Sequence, residues 1–283
     1  MLSRARQRID RALGATTLAT IAAEQTKLRQ AARYLALAQL RERTSRDSTD
    51  LTVSELTVFS QNGEDGVLQE ILGRIGAGDR HFAEIGVHVN EGNCVLLADA
   101  FGWHGLFVDA DPGEVANLQR KYRHSDRVTV LQTLITRDNI EEVLGRANVP
   151  VDLDVLSIDV DGNDYWIWQA VKAWSPRIVV IECNSNLDPA GEQVQPYSSG
   201  AGWSGTAFFG ASVGALRHLG ASRGYQLVHI DLTGTNAFFV RTDQAANHFV
   251  SEAEVVFRAV NIYLSGQMHA PPSSEGGYLN LRD

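Results

Sequence analysis

Acidic and amide residues follow two successive apolar segments of the sequence. Asp159 and Asp161 come at the end of one segment, and Glu182 and Asn184 come at the end of the next. If the two segments are adjacent strands, about 4.8 Å apart, these side chains can share a ligand, provided that the registers match. Carboxylates held this close bind a cation, share a proton or hold a hydroxyl group. Tight turns also favour Asp and Asn, but they do not account for Glu182.

A second group of polar residues follows the first apolar segment. Glu84 and Gly86 lie where this segment ends, and a glycine there lets the backbone turn closely around a ligand. Asp109 ends the next segment, 23 positions after Gly86, a spacing that suits a carboxylate that accepts hydrogen bonds from ribose hydroxyls. Asp109 could instead cap a following helix, but Asp111 fits that role better. Neither GxGxxG nor GxxxxGK[ST] occurs in the chain.

A long glycine-rich stretch after Glu182 contains the aromatic residues Tyr197 and Trp203. Long loops in compact domains commonly serve as lids or binding loops. We therefore predict that Tyr197 and Trp203 contact the substrate.

Short apolar segments alternate with helical patterns along most of the chain. This order predicts an α/β fold, in which a mostly parallel sheet is covered by helices on both faces. Ligands of such sheets bind beyond the carboxyl ends of the strands. The predicted strands are His81 to Val87, Gly105 to Asp109, Val128 to Leu131, Val155 to Asp159, Ile178 to Glu182, Gln226 to Asp231 and Ala237 to Arg241. The predicted helices are Gly66 to Ile75, Cys94 to Phe101, Gly113 to Lys121, Asn139 to Gly145, Tyr165 to Trp174 and Gly210 to Gly224.

Charge is distributed unevenly along the 283 residues. Residues 1–47 carry 10 Lys and Arg against 4 Asp and Glu, a net +6, whereas residues 48–283 carry 15 against 30, a net −15. The acidic body argues against nucleic acid as the main ligand, because phosphate binding requires clustered basic residues. Two cysteines are too few for a disulfide framework, which predicts a cytoplasmic protein. No run of about 18 apolar residues occurs, so we expect no membrane span.

The basic N-terminal part has a helical pattern from Leu18 to Leu40, and a polar linker follows it. We predict two parts, a helical extension over residues 1–48 and a catalytic domain over 49–283. The extension could join copies of the chain into a homo-oligomer, pack on its own subunit or touch anionic lipid.

Several ordered motifs between residues 56 and 241 resemble the FkbM-type S-adenosylmethionine (SAM)-dependent methyltransferases, and above all the bacterial members associated with saccharides and natural products. The motifs are Phe59-Ser60-Gln61-Asn62-Gly63-Glu64-Asp65-Gly66, Glu84-Ile85-Gly86, Gly102-Trp103-His104-Gly105-Leu106-Phe107-Val108-Asp109, Leu156-Ser157-Ile158-Asp159-Val160-Asp161-Gly162-Asn163-Asp164-Tyr165 and Val180-Ile181-Glu182-Cys183-Asn184.

This resemblance implies a Rossmann-like seven-stranded methyltransferase sheet with the cofactor across the ends of its first two strands. Cofactor contacts carried over by position are Gln61, Glu84 and Gly86 at the methionine end, Asp109 at the ribose and Thr133 beside the adenine, with Asp159 as a further contact. The chain departs from the family's pattern in two places, at Glu84, where aspartate is more usual, and at residues 88–91, which replace a smaller glycine-containing turn.

Methyl transfer requires a positioned nucleophile from which the proton is removed. His88 in the ligand-facing loop is the candidate base, with Asp159 and Asp161 as the other catalytic residues. Mg²⁺ held by Asp159, Asp161, Glu182 and Asn184 could also assist deprotonation. We therefore predict an O-methyltransferase acting on a hydroxyl of a saccharide or glycosylated metabolite. The alternatives are a nucleotide-sugar or nicotinamide oxidoreductase and a non-catalytic, methyltransferase-like assembly subunit.

Overall fold

The computed structural model describes residues 25, 28–29, 31–33, 35–36, 38–39, 49–89, 91–200, 203, 205–245, 247–255, 257 and 277–282. The chain divides into two compact units, residues 1–44 and 45–283. Of the helix predicted from Leu18 to Leu40, the described residues between 25 and 39 are helical, and residues 18–24 and 40 lie outside the described ones. Leu28 and Leu35, seven positions apart on that helix, are 69% and 71% exposed.

The second unit is built on a seven-stranded sheet, as predicted. Its strands are β1 His81–Ile85, β2 His104–Asp109, β3 Val128–Gln132, β4 Val155–Ile158, β5 Ile178–Glu182, β7 Tyr225–Ile230 and β8 Asn236–Arg241. They lie side by side in the order β3-β2-β1-β4-β5-β8-β7. β1 to β5 are parallel, and β8 runs antiparallel to both of its neighbours.

Helices cover both faces of this sheet, because successive strand residues point to opposite sides and both sides are apolar. Buried side chains of the first three helices join Phe82, Phe107 and Phe238 in one core, which marks the first face. The next three helices pack with Ile85, Val108 and others on the second face. The helices are α1 Glu64–Ile75, α2 Val95–Phe101 and α3 Pro112–Tyr122, then α4 Ile140–Arg146, α5 Asp164–Ala170 and α6 Val213–Ser222, with a short α7 Thr242–Ala245.

Element ends differ from the predicted ones where local hydrogen bonds intervene. α5 ends at Ala170 rather than Trp174, because the backbone N–H groups of Lys172 and Ala173 donate to the Glu141 carboxylate instead of continuing the helix. α6 begins only after Ser212, whose hydroxyl accepts from the N–H of Ala215 and caps the helix.

The sequence pattern gave no sign of a small second sheet. It pairs β6 Gln193–Val194 with β9 Leu279–Asn280, two strands too short to show an alternation. Within the described part of the chain, the helices are all too short or too polar to reach across a lipid bilayer.

Candidate active site

Five residues form a row across the carboxyl edge of the sheet. Ile85 pairs with Val108 and Ile158, Ile158 pairs with Ile181, and Glu182 pairs with Asn236. The residues one step further along β1, β2 and β4 therefore align with Glu182. We call this set the edge row: Asp109, Gly86, Asp159, Glu182 and Asn236. Every second residue of a strand points to the same face of the sheet. Asp109, Glu182 and Asn236 therefore share the first face with Phe107, Val180 and Phe238, respectively.

Gly86 keeps the edge row open at its centre. Its φ is 77°, and a Cβ atom there would lie 1.6 Å from the backbone oxygen of Asp159. A side chain would collide with the end of β4, so only glycine fits.

Glu84 is buried below Gly86 on the first face. Its two carboxylate oxygens accept from the backbone N–H groups of Asn93 at 2.6 Å and Cys94 at 2.9 Å. Burial raises its pKa from 4.5 to about 8, against the lowering effect of those two hydrogen bonds. Glu84 thus anchors the turn that leads into α2.

Asp109 and Asp111 lie close together in the sequence but have different roles. Asp111 caps α3 by accepting from the N–H groups of Gly113 at 2.7 Å and Glu114 at 2.9 Å. Asp109 accepts from Val87 N–H at 2.9 Å and Asp111 N–H at 2.7 Å, one bond per oxygen. Each oxygen keeps a second acceptor position, so the carboxylate can still bind a hydroxyl pair.

Asp159, Asp161 and Glu182 come together as the acid triad, whose carboxylate oxygens lie within 4.8 Å of one another. The β4–β5 register aligns Asp159 with Glu182, the point that the sequence left open. Burial, followed by repulsion from neighbouring carboxylates, raises the pKa of Asp159 and Glu182 well above the usual carboxylic range. Burial, and to a smaller extent repulsion from the Asp109 carboxylate, raises the pKa of Asp161.

The acid triad fits a hard divalent cation. Glu182 is 9% exposed, and its buried Oε2 has no hydrogen-bond partner. Oxygen ligands about 2.1 Å from Mg²⁺ lie at most about 4.2 Å apart, so the carboxylates, which lie within 4.8 Å of one another, would move slightly closer to hold this ion.

The acid triad lines a cleft of about 290 Å³ that also reaches Asp109 and Gly86. Eight of its described lining residues are Asp or Glu, and none of the described ones is Lys or Arg. A neighbouring cavity of about 190 Å³ lies on the other side of Asp109 and includes Thr133, Leu134 and Ile135. Asp109 lines both spaces, so a ligand that lies across Gly86 can reach a polar and a more apolar compartment.

His88 and Gln61 lie at the cleft, as predicted site residues. His88 Nε2 is 3.4 Å from Glu114 Oε1. Gln61 Nε2 donates to Glu91 Oε2 at 3.2 Å, which ties the loop before α1 to the loop after β1. Asn90 in that second loop lies outside the described residues.

The structure does not bring Asn184, Tyr197 or Trp203 to this cleft. The Asn184 amide nitrogen donates to the backbone oxygens of Ala207 and Phe209, and its Oδ1 accepts from Asn186, so its polar atoms order a loop. Tyr197 packs against Trp166 and Arg137. Trp203 donates to the backbone oxygen of Thr206 and is 43% exposed.

Sequence reasoning missed Asn236 and Glu64 as cleft residues. Asn236 begins β8, and an antiparallel strand brings its N-terminal end to the edge where the parallel strands finish. The sequence did contain a signal for Asn236. It is a polar residue that comes after a hairpin turn and directly before an apolar strand.

No family model and no curated protein matches this chain. Three solved structures illustrate what it resembles. A SAM-dependent methyltransferase from Aquifex aeolicus has 10% identity and a TM-score of 0.38 over 64% of this chain and 90% of that one. The O-methyltransferase from Bacillus cereus in complex with SAH has 18% identity and a TM-score of 0.38 over 61% and 76%. Mitomycin 7-O-methyltransferase has 16% identity and a TM-score of 0.36 over 62% and 56%.

The aligned part spans 49% of the METTL16 methyltransferase domain and 56% of the matched chain of a fibrillarin/Nop5p complex, about half of each. The fold of the second unit is a mixed α/β arrangement, in which helices cover both faces of a seven-stranded sheet.

Proposed function

We propose that the protein is a SAM-dependent O-methyltransferase that methylates a hydroxyl group of a saccharide or glycosylated metabolite. The observation that carries this proposal is the edge row. It aligns Asp109, a glycine with no room for a side chain and two members of the acid triad, Asp159 and Glu182, along one cleft.

The cofactor would lie across Gly86. Asp109 would accept from the ribose hydroxyls, Thr133 would border the adenine in the smaller cavity, and Gln61 would close over the methionine end. Acidic side chains around the larger cleft would favour the positive sulfonium. Glu84 would act mainly through the turn that it anchors, because both of its oxygens already accept backbone N–H groups.

Deprotonation of the acceptor is the chemical problem at this site, because a sugar hydroxyl is a weak nucleophile at neutral pH. A divalent cation, when bound, would lower the pKa of a coordinated hydroxyl. Asp159, Asp161 and Glu182 would hold that cation. His88, whose Nε2 lies 3.4 Å from Glu114 Oε1 at the rim of the cleft, would take up the proton.

Charge in the cleft favours a neutral acceptor over an anionic one. The acidic lining contains no described Lys or Arg to bind a phosphate, so a nucleotide diphosphate would be repelled. This charge and the lack of a GxGxxG motif both disfavour a nucleotide-sugar oxidoreductase.

Calorimetry with SAM and SAH on the full chain tests the cofactor, and a screen of neutral saccharides with methyl-labelled SAM tests the reaction. We expect saturable SAH binding and label transfer that a chelator suppresses. Absence of both SAM and SAH binding would contradict the proposal. If transfer proceeds equally well in the presence of the chelator, the proposed role of the cation is wrong, but the proposed methyl transfer stands.

A further inference from the structure

Two buried acceptor atoms without hydrogen-bond partners lie side by side in the edge row. They are Glu182 Oε2 and Asn236 Oδ1, and both residues line the cleft. Glu182 and Asn236 are directly paired across β5 and β8. Directly opposed residues point to the same face of a sheet, with Cβ atoms about 4.5–5.5 Å apart. Buried polar atoms are nearly always paired, so two adjacent exceptions indicate a common ligand.

The orientation of the Asn236 amide is fixed by Glu64. Asn236 Nδ2 donates to Glu64 Oε1 at 2.8 Å, and the other Glu64 oxygen accepts from Asn62 N–H at 2.7 Å. An ionised carboxylate only accepts hydrogen bonds, so an inverted amide would place Oδ1 against another acceptor. Oδ1 therefore points away from Glu64.

The backbone of Asn236 is fixed as well. Its N–H donates to Asp231 Oδ2 at 2.7 Å, and its carbonyl accepts from Asp231 N–H at 3.1 Å. Asn236 is 2% exposed, so the side chain has no room to turn to solvent. The fold thus holds a neutral oxygen rigidly beside an acid triad.

We infer that Asn236 Oδ1 is a protein ligand of a divalent cation held by Asp159, Asp161 and Glu182. This inference rests on the cation of the proposed function. In this inference Asn236, from the antiparallel strand β8, takes the place of Asn184, whose amide hydrogen-bonds a loop instead. A neutral oxygen adds a ligand without adding repulsion to three carboxylates, and Glu64 serves as a positioning residue that aims it.

Binding of Mn²⁺ alone to the full chain, followed by electron paramagnetic resonance, tests this inference. We expect Asn236→Leu, which keeps the approximate size and removes the oxygen, to weaken Mn²⁺ affinity at least about tenfold. Asn236→Asp restores an oxygen ligand and should bind Mn²⁺ more tightly than Asn236→Leu does. Thr235→Val is the control, because it alters the same turn and retains all four oxygens, and its affinity should match that of the unaltered chain.

The results separate this inference from the proposed function. Unchanged Mn²⁺ affinity in Asn236→Leu would overturn the role of Asn236 while the acid triad keeps its cation. Lack of Mn²⁺ binding by the unaltered chain would overturn it too, and would indicate a proton shared between Glu182 and Asn236. SAH calorimetry on the same samples reports on the methyltransferase proposal independently, and it also confirms that each variant retains a folded cofactor site.

Discussion

Buried carboxylates occur in two settings in this protein. Asp65, Asp164 and Asp231, here called the turn carboxylates, each accept at least two backbone N–H groups from a neighbouring turn. The acid triad lies close by and has no such backbone donors within the described part of the chain. One oxygen in each setting, Glu182 Oε2 and Asp65 Oδ1, is buried without any partner.

The turn carboxylates accept hydrogen bonds from backbone N–H groups of adjacent turns. Asp65 Oδ2 accepts from three consecutive N–H groups, those of Val58, Phe59 and Ser60, at 2.6–2.8 Å. Asp164 binds the N–H groups of Val160 and Gly162 and so shapes the turn between β4 and α5. Their burial is offset by backbone donors that would otherwise be unpaired.

The acid triad lacks that compensation. Strand register aligns Asp159 with Glu182, and the exposed Asp161 follows in the turn that Asp164 shapes. The three carboxylates repel one another and lie in a cleft with no described Lys or Arg. Burial by itself therefore does not mark a functional acid in this fold. The number of backbone donors separates the turn carboxylates from the acid triad, whereas Asp109 accepts two backbone N–H groups and also lines the cleft.

Removal of a turn carboxylate should have the largest effect on stability. We expect Asp65→Ala to lower the free energy of unfolding by about 3 kcal/mol or more, because three buried N–H groups lose their acceptor. Urea denaturation followed by circular dichroism measures this loss. A loss below about 1 kcal/mol would mean that the loop re-pairs its donors and that the contrast with the acid triad is weaker than we describe.

Removal of a charge from the acid triad should have the opposite pattern. Glu182→Gln should reduce kcat at least about 100-fold, since the cation or acceptor loses a ligand. Without added metal it should leave stability unchanged or higher, because the neutral amide removes the cost of burying an ionisable group beside other acids. Steady-state kinetics and thermal melts of the same sample measure both. A variant that is both active and destabilised would place Glu182 among the structural acids.

The pH dependence of stability should reveal the part of the burial cost that backbone hydrogen bonds leave at these carboxyl groups. The pKa of Glu84 rises from 4.5 to about 8, that of Asp231 from 3.8 to about 7, and those of Asp65 and Asp164 from 3.8 to about 6. Between each pair of values the folded state binds more protons than the unfolded chain, so the free energy of unfolding falls as pH increases.

Calorimetric melts should therefore give a higher Tm at pH 5.5 than at pH 8. Glu84→Gln should flatten the decline above pH 7, where Glu84 is the main contributor among these four groups. A Tm that rises steadily from pH 5.5 to pH 8 in the unaltered protein would contradict this assignment.

Much of the fold was predictable because its signals are local. The seven strands of the main sheet were found within one or two residues, since each is a short apolar run bounded by turn residues. The same reasoning found Asp109 and Gly86, where residue type and position at a strand end coincide. The resemblance to the FkbM-type family added roles for Gln61 and Thr133, which remain predictions.

Long-range geometry was not predictable. Asn184 follows Glu182 by two positions and was the natural fourth ligand, but the backbone turns after β5 and its amide binds the loop near Phe209. Asn236 lies 54 positions after Glu182 and meets it only through antiparallel pairing. The short turn between β7 and β8 indicated that these two strands run antiparallel, but no local pattern showed that β8 would lie beside β5 and bring Asn236 to Glu182.

The neighbouring acids Asp109 and Asp111 offer the finest test of the contrast. Asp111→Ala should cost about 1 kcal/mol of stability, because it removes the cap of α3, and should leave SAH affinity unchanged. Asp109→Asn should also cost about 1 kcal/mol, because its amide nitrogen faces the N–H of Val87 or Asp111, but it alone should weaken SAH binding, about tenfold, because an amide pairs less well with the ribose hydroxyls. Urea denaturation and calorimetry on both variants measure the two quantities. Equal loss of SAH affinity in the two variants would show that Asp109 acts through the turn into α3 rather than through the ribose.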